Sequence, residues 1–241
     1  MTSTGSDSGF GIFGRSDQQA RPLPIRVEVK IRMIAKRTAI ALVGVLGMPV
    51  LTALPAAADP IPEGATVDVV GVSGSGCPAG TSSVVMSEDK TSFTINYGDF
   101  IVYAGGGAPP SASQKNCHIT LRVNGADDYS YSFLGVNQRG YARLEMEATG
   151  DERTHLYFEE GSYGVQIGHP FSGRYISDWR VEDWVGPREM IWKPCGENRD
   201  LHLETELRVN AEGPDAAKTS LLSLNATDSE ARYRFVWRRC P

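Results

Sequence analysis

Leu201-His202-Leu203-Glu204-Thr205-Glu206-Leu207-Arg208-Val209 places Leu201, Leu203, Leu207 and Val209 at two-residue spacing, with Thr205 in the same phase. A helix would bring apolar residues back every three or four positions; a period of two is an extended strand with one face turned inward. Cys117, Ile119, Leu121 and Val123 repeat the pattern. Phe93, Ile95 and Tyr97 share a face of residues 91–97, which follow residues 82–87 across the polar turn Glu88-Asp89-Lys90. Residues 100–103 run into Gly105-Gly106-Gly107 and Pro109-Pro110, and Gly125-Ala126-Asp127-Asp128 closes the strand before it. Residues 129–134 and 140–147 read as two strands parted by Asn137-Gln138-Arg139, and residues 154–158, 221–224 and 232–237 as three more. Residues 160–195 are the least regular part and read as one long excursion. Short strands divided by turn residues, with no room for βαβ units, predict an all-β antiparallel sandwich, jelly-roll or immunoglobulin-like, in a single domain over residues 61–241.

The rest of the composition limits the function. The chain has 241 residues, 41% hydrophobic and 22% charged, which excludes wholesale disorder and coiled coil. Its 24 basic and 29 acidic residues give a net charge of −5. A nucleic-acid binder should carry a basic face, so no nucleic-acid partner is expected.

Lys36-Arg37 precede an uncharged apolar run over residues 39–51, followed by Thr52-Ala53-Leu54-Pro55-Ala56-Ala57-Ala58-Asp59. A basic flank, a short apolar core and an A-x-A site make residues 33–58 a signal peptide, cut after Ala58. The run is too short to span a bilayer and is interrupted by Gly44, Gly47 and Pro49. An N-terminal anchor is the rejected alternative. Residues 1–32 are a spurious extension ahead of a start at Met33, or a long n-region. The product would be secreted, free of membrane and monomeric. Cutting after Ala58 removes seven basic and three acidic residues, leaving 17 against 26 and a charge of −9.

Cys77, Cys117, Cys195 and Cys240 all follow that site. An even number in an oxidising compartment predicts disulfides with three possible connectivities. Cys77 with Cys117 and Cys195 with Cys240 each bracket one run of strands; nested and crossed pairings stay open. A zinc site would need CxxC spacing or clustered histidines, which are missing.

No chemistry announces itself. Gly71-Val72-Ser73-Gly74-Ser75-Gly76 has serine where a nucleophile elbow needs its last glycine, and Cys77-Pro78 follows where a phosphate loop needs a helix. It reads as a flexible strap held by Cys77. His118, His155, His169 and His202 form no HxH or HExxH pattern, and His118 and His202 lie in strand segments. Asp127-Asp128, Glu159-Glu160 and Glu182-Asp183 read as solvated turns, lacking EF-hand spacing. No catalytic residue, metal or cofactor is expected. Trp179, Trp184 and Trp192 stand among Asp178, Arg180, Glu182 and Asp183. Flat aromatics beside hydrogen-bonding acids suit sugar rings, so Trp179 and Trp184 are the candidate ligand-binding pair; the competing expectation is that they cover the core. Asn225-Ala226-Thr227 is a glycosylation sequon.

Gly74-Ser75-Gly76-Cys77-Pro78, Lys115-Asn116-Cys117, Arg139-Gly140-Tyr141, Trp192-Lys193-Pro194-Cys195-Gly196 and Trp237-Arg238-Arg239-Cys240 occur in this order over about 165 residues. Together they resemble the secreted domain-of-unknown-function family 4360 (DUF4360) of fungi and actinobacteria. The resemblance implies a small exported β protein with four paired cysteines, and it brings no catalytic residues. The expected function is a non-catalytic extracellular binding or structural module, with an envelope or environmental polysaccharide as partner. The alternatives are a hydrolase whose site is assembled in space and an inhibitor or effector of another protein.

Overall fold

The computed structural model describes residues 61–158, 163–224 and 231–241. The extension, the signal peptide with Ala58, Glu159-Glu160 and the Asn225 sequon lie outside the described residues. Along the chain run β1 (Thr66–Ser73), β2 (Ser82–Met86), β3 (Ser92–Tyr97), β4 (Ile101–Ala104), β5 (Gln114–Asn124) and β6 (Tyr129–Leu144). Then come β7 (Thr149–Tyr157), β8 (Val165–Ser172), β9 (Tyr175–Trp184), β10 (Leu201–Asn210), β11 (Ser220–Ser223) and β12 (Ala231–Arg239). One sheet has the order β1-β5-β10-β7-β8; the other has β2-β3-β12-β6-β11-β4, with β9 paired to β6. The described strand pairs are antiparallel, and the two sheets pack as a sandwich.

Period-two alternation builds the core. Leu201, Leu203, Leu207 and Val209 of β10 turn inward beside Ile119 and Leu121 of β5. From the other sheet come Phe93, Ile95, Tyr131, Phe133 and Tyr233, all fully buried. Phe93 stacks on Tyr233 with ring centroids 4.9 Å apart. Each such side chain contributes about 1.5–3 kcal/mol on leaving water.

Disulfides join Cys77 to Cys117 and Cys195 to Cys240, closing loops of sequence separation 40 and 45. The first ties the segment after β1 to β5; the second ties the loop after β9 to the end of β12.

Three segments differ from the sequence reading. The glycine-bearing strap begins as β1, an edge strand on β5 whose register slips between Val69 and Gly71. Asn137-Gln138-Arg139 is no break, and β6 runs through it for 16 residues. Its polarity misleads because Gln138 points inward, where its amide nitrogen donates to Glu152 at 2.9 Å and to Thr154 at 3.0 Å. The supposed excursion holds β8 and β9. In β8, Gly168 and Pro170 hide the alternation of Val165, Ile167 and Phe171; proline is tolerated because β8 is an edge strand.

Candidate functional site

β12, β6 and β9 lie side by side, and their outward residues form rows across the second sheet. Arg232 aligns with Asn137 and Glu182, Arg234 with Gly135 and Trp184, and Arg139 with Arg180. Asn137, Gln138, Arg139, Arg180, Arg232 and Arg234 line a cleft of about 200 Å³. Four guanidinium groups thus converge on one face of an acidic chain.

Gly135 sets the layout. A Cβ there would stand 2.5 Å from the Asp183 carbonyl oxygen and 3.0 Å from an Arg234 nitrogen. Without one, the Arg234 side chain crosses β6, donates to Glu182 at 2.9 Å and lies 4.0 Å from the centroid of the Trp184 ring. Glu182 therefore fixes the cation that packs on the indole, a cation–π contact. Arg234 Nε and Asn137 Oδ1 are buried without a hydrogen-bond partner, a donor and an acceptor at the cleft. Trp184, beside Arg234, is 61% exposed.

A second hollow of about 560 Å³ adjoins along β2 and β3, sharing Arg232 and Arg234 and ending at Glu88 and Asp89. Hydrogen bonds from Ser87 and Thr91 hold the Asp89 carboxyl down at about 2, so this end stays anionic.

Trp179 does not join Trp184. It is 4% exposed, packed on Phe171 at 5.2 Å between centroids and laid over Gly140, its partner across the β6–β9 ladder. The expectation that both tryptophans present their faces to a ligand is corrected here: positions 179 and 184 differ by an odd number, so one strand points them to opposite sides. Trp192 is half-buried, with Arg238 4.3 Å above its ring.

The histidines lie elsewhere. His118, His155 and His202 share the outer face of the first sheet, where a shallow groove of about 680 Å³ passes His118, His155, Glu204 and Glu206. His118 Nε2 and His202 Nδ1 are 3.1 Å apart, and His202 stacks on Tyr157, whose hydroxyl donates to Glu204 at 2.8 Å. Those aromatic rings lie against one another, and Tyr157 is buried. Among the described residues no group of three or more His, Cys, Asp or Glu is placed to hold a metal ion.

A buried carboxylate also lies near a half-buried histidine–carboxylate pair. Glu152 is 0% exposed and lies opposite His169 across the β7–β8 ladder; His169 Nε2 is 2.9 Å from Asp183 Oδ2. Burial pushes the Glu152 carboxyl up to about 7, against the lowering effect of its hydrogen bonds to Thr154 and Gln138 and of nearby His169. Glu152 itself is closed off from solvent.

Comparison with known proteins gives kinship without an activity. An uncharacterized secreted protein of Arthroderma benhamiae is 26% identical over 183 residues, which is 74% of each chain. Among solved structures, a complex of TmCBM61 with β-1,4-galactotriose overlaps 74% of this chain and 90% of its own at 7% identity, with a TM-score of 0.23. The virus-like particle of the extra small virus of the giant freshwater prawn Macrobrachium rosenbergii overlaps 63% and 79% at 10% identity, with a TM-score of 0.18. Those scores are too low to argue from. The family model described as "Domain of unknown function (DUF4360)" matches residues 63–240, and the chain belongs to that family.

Proposed function

We propose that this protein is an extracellular, non-catalytic binding module that docks a polysaccharide on the outer face of its second sheet. The observation that carries the reading is Trp184, an exposed indole packed beside Arg234, which lines a cleft rich in hydrogen-bonding side chains. A sugar ring stacks its apolar C–H face on an indole while its hydroxyls need donors and acceptors at the ring's edge. Asn137 offers an unpartnered acceptor, Arg234 an unpartnered donor, and Glu182 a carboxylate. In this reading the exported product is a monomer that begins at Asp59, and residues 61–241 act as one domain.

Retention on insoluble polysaccharides tests the function. The chain should be held by at least one member of a broad panel and released when Trp184→Ala is made, with its melting temperature within about 4 °C of the parent's. Equal retention of parent and variant would refute this use of the face. Mass spectrometry of the exported product should find Asp59 at the N-terminus; any other terminus would reject the proposed cleavage.

A further inference from the structure

We infer that the polysaccharide is acidic, with uronate carboxylates bound in the arginine cleft; this rests on the glycan reading above. Arg139, Arg180, Arg232 and Arg234 surround one cleft of about 200 Å³ in a chain of net charge −5. Concentrating positive charge on one face of an acidic protein makes a local field that attracts anions. Of the four, Arg234 is held by Glu182 through one terminal nitrogen, and its Nε is buried without a partner. Arg180 is exposed and has no ion pair with any described residue. An unpartnered guanidinium N–H beside a second guanidinium is suited to a planar carboxylate, which accepts two parallel hydrogen bonds.

The placement fits a uronate ring. Its carboxylate projects from the ring's edge, so a sugar stacked on Trp184 reaches sideways, and Arg234 stands in the same cross-strand row, on the far side of Gly135. A neutral sugar would leave the Arg234 Nε donor facing a hydroxyl. The opposite end of the face, with Glu88 and Asp89, repels the same ligand. An acidic chain is therefore expected to be held at the β6–β9 end and not along β2.

The test titrates the full chain against polygalacturonate and alginate, fully methyl-esterified polygalacturonate, a neutral galactan, a sulfated galactan and polyglutamate, at low and high salt. Binding to at least one polyuronate, at least about tenfold weaker to the ester and weakened by salt, is the expected result. Arg180→Ala should cost about tenfold on the polyuronate with an unchanged melting temperature, since one charge-assisted hydrogen bond is lost from an exposed position. Equal affinity for the ester and the acid would overturn the uronate inference and leave the glycan reading standing. Tighter binding of the sulfated galactan would overturn it as well. Polyglutamate bound as tightly as the polyuronates, or no binding to any polysaccharide, would overturn both.

Discussion

Replacing Glu152 by glutamine should make this protein more stable above neutral pH. The carboxyl is buried in the sandwich beside Thr154, Gln138 and His169, and its environment moves it from an ordinary 4.5 to about 7. Between those values the folded chain keeps a proton that the unfolded chain releases. Stability therefore falls as pH rises through that window and levels off above about 7. At 1.36 kcal/mol per pH unit, a charged Glu152 costs about 3 kcal/mol. Glu152→Gln keeps the shape and keeps an oxygen that can accept from Thr154 at 2.7 Å and from Gln138 at 2.9 Å. Its amide would replace Oε2, which has no partner, next to a Gln138 whose Oε1 also has none. In a chain of this size about 3 kcal/mol corresponds to about 6–12 °C in Tm. Thermal unfolding of parent and variant at intervals from pH 4.5 to 8.5 should give curves that converge at the acid end and part by that amount at the alkaline end. Parallel curves would show that Glu152 does not carry the dependence and would refute the reasoning.

The two tryptophans should separate cleanly in a denaturant titration: Trp179→Ala loses about 3–5 kcal/mol as a buried aromatic, while Trp184→Ala loses about 1 kcal/mol or less. Similar losses at both sites would contradict their opposite placement. Gly140→Ala should be as damaging as a core truncation, because its Cβ would press on the Ser223 carbonyl oxygen and stand 2.7 Å from Trp179 Cζ2; a thermal melt within about 1 °C of the parent would rule out that close packing. Opening the 40-residue loop with the double change Cys77→Ser and Cys117→Ser should cost about 4 kcal/mol on the chain-entropy account, read from urea midpoints. An unchanged midpoint would mean that β1 and β5 hold together without the bridge.

The sandwich was legible because β10 and β5 obey a two-residue period with large apolar residues at the inward positions. β6 was obscured by chemistry that the period cannot express: a buried glutamine looks like a turn residue until its partner, Glu152, is seen on the facing sheet. β8 and β9 were obscured by glycine, proline and charge, which an edge strand and a half-exposed strand accept. For the site, the aromatic and acidic character of residues 175–184 was a usable signal, but the odd spacing of 179 and 184 puts the two indoles on opposite sides of β9. The arginine cleft had no local signal at all. Arg139 and Arg180 meet Arg232 and Arg234 only because β12 and β9 flank β6, a relation set by long-range register.

That register has a consequence in time. β12, the last of the described strands, enters the middle of its sheet, between β3 and β6. Until residues 231–239 are available, β2 and β3 have no neighbour on that side, and Phe93 lacks its stacking partner Tyr233. A polypeptide emerging from a ribosome or threading through a pore thus cannot close this sandwich early. Its cooperative folding waits for the final strand, then proceeds through pairings remote in sequence, the slow regime of all-β chains. A chain that stays open until β12 arrives is one that can be threaded through a channel without first being unfolded.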